Sequence, residues 1–148
     1  SRGTYFALCS MNTTFSPKII PAFYQLYMNF LGVDRFDDIW SGIFLKKIVD
    51  HLGDDVCLGE PLVYHAKRAR DPFKDLKKEL EGMRINEALW KMVDGTQLDG
   101  KTYWDLYYSL AHSLEKNLAK LQNSVNQKFM LTQIERMKLW LEIIDKLR

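Results

Sequence analysis

A chain of 148 residues fits one domain and can bury a sizeable core, and its 47% hydrophobic and 13% aromatic content excludes a disordered segment. Its 21 basic and 19 acidic residues leave a formal net charge of +2, too even a balance to argue for nucleic acid as a partner. No apolar run approaches the ~20 residues of a transmembrane segment, these 148 residues contain no signal-peptide pattern, and two cysteines, Cys9 and Cys57, do not describe a disulfide scaffold. The expectation is a soluble, cytoplasmic protein with reduced thiols.

Residues 4 to 9, "TYFALC", are β-branched and aromatic enough to predict a buried strand. Ser16-Pro17 then reads as a helix start, and the run that follows sets Ile20, Phe23, Tyr24, Tyr27 and Leu31 on one helical stripe ended by Gly32. A second helix runs from Asp37 or Asp38 to Leu52, with Gly53 as its stop. Trp40, Ile43, Phe44, Ile48 and Leu52 form its apolar set, with Lys46, Lys47 and Asp50 on the wet side. Two short β-type runs follow, Val56 to Leu58 and Leu62 to His65, broken by Gly59-Glu60-Pro61.

Asp71 as cap and Pro72 at the first helical position open another helix, with Gly82 and Gly95 as punctuation. From Tyr103 onward the apolar positions predict two long amphipathic helices with "QNSVNQ" as the turn between them. The fold class expected is α+β, mainly helical, with few strands near the front and a C-terminal helical hairpin. Residues 1–95 form one part and 96–148 the hairpin. Isolated strands would leave unpaired edges, so either a missing segment completes the sheet or protomers pair with each other.

The stretch "DRFDDIWSG" raises the first chemical question. Asp37 and Asp38 have a structural reading, in which one caps the helix and the other is favoured by the helix dipole. They also have a functional one, in which a carboxylate held at a helix start acts as a general base or orients a hydroxyl. Two carboxylates alone are too few for a dedicated hard-cation site. His65 is either a hydrogen-bonded structural histidine or a ligand. Lys67, Arg68 and Arg70 beside it suit a metal-bound diphosphate, or else a solvated loop. His51 and His112 receive no role, and there is no Gly-rich phosphate loop, Cys-x-x-Cys or nucleophile elbow. The aromatics at helical spacing read as core.

Four stretches in order, "CSMNTTFS", "RFDDIWSGIFLKKIVDHLG", "EPLVYHAK" and "DPFKDLKKELEG", resemble the C-terminal half of the reversibly glycosylated polypeptides, also known as UDP-arabinopyranose mutases. The resemblance implies the C-terminal half of a GT-A type α/β glycosyltransferase fold and a UDP-sugar-dependent glycosyltransferase or mutase. By that resemblance Asp38 and Asp37 match the acceptor-side carboxylates, and Trp40 the aromatic beside them. Met11 and Asn12 match the Met-Asn pair near the sugar, His65 a late metal-binding histidine for Mn²⁺ or Mg²⁺, and Lys67 the basic residue that follows it; in the intact enzyme Lys67, with the neighbouring Arg68, is expected to neutralise diphosphate charge. Ser10 and Ser16 depart from the family's Gly and Asp at those positions, and Arg68 and Arg70 have no counterpart. The family's nucleotide-binding half, with its Asp-x-Asp motif, has no match here, so the chain is expected to be a fragment of one about twice as long, inactive alone. A natural half-protein remains the alternative, serving as a non-catalytic helical interaction or self-association module.

Overall fold

The computed structural model describes residues 2–66 and 69–147. Four helices carry the fold: α1 Asp37–Leu52, α2 Pro72–Asp94, α3 Tyr103–Lys116 and α4 Ser124–Lys146. Short 3₁₀ turns lie at Ser10–Asn12, Pro17–Ala22 and Leu118–Lys120. The helix ends follow local chemistry. Gly53 closes α1 in the left-handed region (φ 76°), where a side chain would be strained. Asp71 opens α2 by accepting from the Phe73 and Lys74 amides at 3.0 and 3.3 Å, with Pro72 next. Thr102 and Asp105 form a reciprocal capping box on α3, and Asn123 caps α4 by accepting from the Val125 amide at 2.7 Å.

One hydrophobic core joins the four helices. Tyr103, Leu106, Tyr107, Leu110 and Leu114 are buried along α3, and Met130, Ile134, Met137 and Leu141 along α4, so the expected hairpin stripes are the faces that pack. Leu147 lies exposed past the end of α4. Helix α3 packs on α4 and on the Pro17–Ala22 turn, and touches α1 and α2. No helix among the described residues is long and apolar enough to cross a membrane.

Four expectations need correction. Residues 4–9, 56–58 and 62–65 form no strands; among the described residues the only β feature is an isolated bridge between Phe30 and Val33. The apolar content of these runs is strand-like, but a strand needs a neighbour for its backbone groups, and none lies alongside. The amino-terminal segment is tied down by side chains instead, with the Gly3 amide on Asp50 Oδ2 at 2.9 Å and the Tyr5 hydroxyl on Asp94 Oδ1 at 3.0 Å.

The helix expected over 17–31 stops at Ala22. Beyond it the backbone turns through positive φ at Asn29, Leu31 and Gly32. Its polar groups are met by other elements. Trp140 donates to the Ile20 carbonyl, Ser41 Oγ accepts from the Leu26 amide, and Gln133 donates to the Tyr27 carbonyl. These contacts replace the i→i−4 ladder, so the loss of helix leaves those groups paired.

Gly82 does not interrupt α2. It is the point where α2 meets the Phe36 ring, which leaves no room for a Cβ. Lys46, expected on the wet side of α1, is only 7% exposed, and its ammonium holds Asp50 Oδ1 at 2.5 Å.

Candidate functional site at the start of helix α1

Charge at "DRFDDIWSG" divides between two tasks. Asp34 and Arg35 are structural: Arg35, at φ 67°, donates its amide to Asp34 Oδ1, and its guanidinium pairs with Asp75 and Glu79 of α2. That pairing fixes the approach to α1. Phe36, not an aspartate, is the N-cap residue, and no side chain caps the helix. Asp37 and Asp38 therefore occupy the first turn, where the unsatisfied amides of the helix favour negative charge. Both are half-buried, and among the described residues neither carboxylate has a hydrogen-bond or ion-pair partner.

The scaffold beneath the pair is rigid. Trp40 is fully buried, its indole N–H donates to Asn86 Oδ1 of α2 at 3.0 Å, and its ring packs against Phe36 and Phe129. It presents no surface to a ligand; it seats the helix start. Ser41 adds a second anchor, donating to the Asp37 carbonyl at 2.5 Å while accepting from the Leu26 amide.

One turn further along the same face, Gly42 lets the amino-terminal segment pass close over α1. A Cβ there would lie 2.6 Å from Leu8 Cβ and 3.2 Å from its backbone nitrogen. Gly42, Lys46 and Val49 line a cleft of about 330 Å³ closed on its other sides by Phe6, Leu8 and Tyr103. Asp38 precedes Gly42 by four residues and so shares its side of α1, one turn outside the residues that line the cleft. Met11 and Asn12, on the Ser10–Asn12 turn just beyond Leu8, are exposed.

At the far end of the cleft Asp54 accepts from the Tyr103 hydroxyl at 2.7 Å and from Lys18 at 2.8 Å. The Lys18 contact, then the Tyr103 one, holds its carboxyl below the usual value. Asp50 is also lowered: burial pushes it up, but Lys46 and the Gly3 amide outweigh that. Sequence reasoning missed this polar end. The i,i+4 spacing of Lys46 and Asp50 signals an ion pair but not its burial, and the partners of Asp54 come from elements far apart in the chain.

His65 lies exposed in the irregular stretch between α1 and α2, with no contact to Asp37 or Asp38. Lys67 and Arg68 fall outside the described residues. Cys9 and Cys57 are exposed free thiols. No group of three or more His, Cys, Asp or Glu among the described residues could hold a metal ion. The structure thus brings together Asp37, Asp38 and their support, and does not bring His65 to them.

The whole chain, residues 1–148, matches the model of the reversibly glycosylated polypeptide family. It is 31% identical to UDP-arabinopyranose mutase 1 of Arabidopsis thaliana across 99% of its own length and 40% of that protein. The same identity and coverage hold for UDP-arabinopyranose mutase 1 of Oryza sativa and UDP-arabinopyranose mutase 2 of Arabidopsis thaliana. The chain spans about two fifths of the length of these relatives. The match over its full length shows that the chain belongs to the reversibly glycosylated polypeptide family.

Proposed function

We propose that this chain is the acceptor-side portion of a cytoplasmic UDP-sugar mutase or glycosyltransferase, corresponding to the C-terminal half of a GT-A type fold. The observation that carries the reading is the pair of half-buried, unpartnered carboxylates, Asp37 and Asp38, on a helix start held from below by Trp40 and Ser41. Such a carboxylate is pre-positioned to accept a proton or a hydroxyl hydrogen bond.

Asp38, on the Gly42 side of α1, aligns or deprotonates a sugar hydroxyl, and Asp37 supports it. Met11 and Asn12, both exposed, contact the sugar, and Trp40 holds the helix start in place. Lys67, with Arg68, neutralises diphosphate charge. The described residues do not fit a metal centre by themselves. An Mn²⁺ or Mg²⁺ ion would take His65 as one ligand and draw the others from a segment beyond this chain, either the further length found in the relatives or another protomer.

The test is the turnover of UDP-sugars by the longest natural product of this gene, with Asp38→Ala compared to the parent. A fall of about a hundredfold with an unchanged melting temperature is the expected result, on the scale of one general acid–base group. Near-parental turnover in a folded Asp38→Ala protein would remove Asp38 from the site.

A further inference from the structure

One stripe of α2 grips the residues that lead into α1. Asp75, Glu79, Gly82 and Asn86 recur at intervals of four, three and four residues, which places them on one side of the helix. They meet the start of α1 in turn. Asp75 and Glu79 hold the Arg35 guanidinium, Gly82 makes room for the Phe36 ring, and Asn86 accepts from the Trp40 indole at 3.0 Å. Asp37 and Asp38 stand between the Phe36 and Trp40 contacts.

Arg35 is the most constrained member of this set. Its φ of 67° lies in the left-handed region, which a residue with a side chain holds only where its surroundings dictate it. Two sets of contacts do so. Its amide donates to Asp34 Oδ1 at 2.9 Å, and its guanidinium spans two carboxylates of α2, Nη1 on Asp75 and Nε on Glu79 at 3.2 Å. The side chains of Arg35, Asp75 and Glu79 are 29%, 29% and 32% exposed, so the cluster is partly withdrawn from water and stronger than a pair on the open surface.

The direction of the guanidinium separates two roles. Asp37 and Asp38 lie two and three residues along the chain, yet Arg35 neutralises neither and turns to α2. No side chain caps α1, so the helix start is oriented by what it packs against. Trp40 fixes it on one side of the acidic pair, and Arg35 with Phe36 on the other.

We propose that Arg35 is a positioning residue: clamped to Asp75 and Glu79, it sets the orientation of the first turn of α1 and so the place of the Asp37 and Asp38 carboxylates. The proposal rests on the catalytic reading of that pair, in which a small displacement of the reacting carboxylate lowers kcat without weakening substrate binding. Lysine cannot replace the arginine, because an ammonium lacks the fork that spans two carboxylates.

The test compares Arg35→Lys, Arg35→Gly and the combined Asp75→Asn and Glu79→Gln in the longest natural product of the gene, beside Asp38→Ala. Glycine adopts the left-handed backbone without strain, so Arg35→Gly removes the clamp and leaves the chain path free to persist. Each clamp variant is expected to lower kcat for UDP-sugar turnover about tenfold with KM little changed. Adding Arg35→Lys to the α2 pair should lower it no further, since both remove the same contact. Amide hydrogen exchange gives a second reading that needs no turnover. The Trp40 amide, bonded to the Phe36 carbonyl at 3.0 Å, should exchange about tenfold faster in the clamp variants, while amides of α3 and α4 keep the parental rate.

Parental kcat in the clamp variants beside an inactive Asp38→Ala overturns the proposal and leaves the catalytic reading standing. Parental turnover in Asp38→Ala, or no turnover in the parent, overturns that reading, and the proposal falls with it. A Trp40 amide exchanging at the parental rate overturns the proposal, since the helix start is then held without Arg35. So does faster exchange spread equally over α1, α3 and α4, because Arg35 then supports the whole fold.

Discussion

Tyr103 at the start of α3 donates its hydroxyl to Asp54, just past the end of α1, so one hydrogen bond joins two helix ends 49 residues apart. The contact makes stability depend on pH in two directions. Asp54 titrates below its ordinary value because Lys18 and then Tyr103 hold its charged form. Its contribution is present above about pH 4, the unfolded value, and is lost as pH falls through the lower folded value. Tyr103 is shifted upward, by burial first and then by Asp54. Its contribution is present below about pH 10 and is lost as pH rises beyond that. Urea midpoints measured from pH 2 to 11 should show both limbs, and Tyr103→Phe should make both shallower. Identical profiles for the two proteins would mean the bond contributes nothing in solution.

Gly82→Ala sets helix propensity against packing. Propensity alone favours alanine by about 1 kcal/mol. The added methyl, however, would lie 2.2 Å from Phe36 Cδ2 and 2.5 Å from Cε2. The ring is backed by Trp40 at a centroid distance of 5.1 Å, so it has little room to retreat. Overpacking of this kind costs ~1–3 kcal/mol, and a net loss is expected. Thermal melts decide the sign. Adding Phe36→Leu should recover part of the loss; a more stable Gly82→Ala protein would mean that the Phe36 ring yields without cost.

These residues mark what the sequence made legible. Helices with strong local punctuation were readable: Asp71-Pro72 and Gly53 sit where their chemistry says a helix begins or ends. The segment 17–31 was not, because its conformation is set by Ser41, Gln133 and Trp140, none of them local. Gly82 was misread for the same reason, since only Phe36 explains it. At the candidate site, "DRFDDIWSG" was recognisable as a motif. That Arg35 turns to α2 while Asp37 and Asp38 stay unpartnered is a fact of tertiary packing. The role of Lys46 was hidden because an i,i+4 ion pair looks the same on a wet face and on a buried one.

Asp37→Asn and Asp38→Asn separate support from chemistry. Neither carboxylate caps α1, so each substitution removes only the favourable interaction with the helix amides, ~0.3–1 kcal/mol. Chemical denaturation should therefore place both variants close to the parent. Trp40→Ala, by contrast, empties a fully buried position and strands Asn86, and a loss of ~3–5 kcal/mol is expected. If Asp38→Asn destabilised the protein by more than about 2 kcal/mol, the carboxylate would be structural, and loss of turnover in that variant would say nothing about chemistry.

Tyr107 lies one turn after Tyr103 on α3, and the same substitution there should have the opposite sign. Tyr107 is wholly buried, and its hydroxyl has no hydrogen-bond partner. Burial, then the neighbouring Tyr24, keeps its phenol protonated far into the alkaline range. An unpaired hydroxyl carries a desolvation penalty of ~1–3 kcal/mol with no bond to offset it, and phenylalanine fills nearly the same volume. Tyr107→Phe should raise stability by about 1 kcal/mol, whereas Tyr103→Phe gives up a bond to a carboxylate. Paired urea titrations at neutral pH check the contrast directly. A loss at position 107 comparable to that at 103 would place a buried water against the Tyr107 hydroxyl, since water is the partner able to fill that gap in an otherwise apolar face.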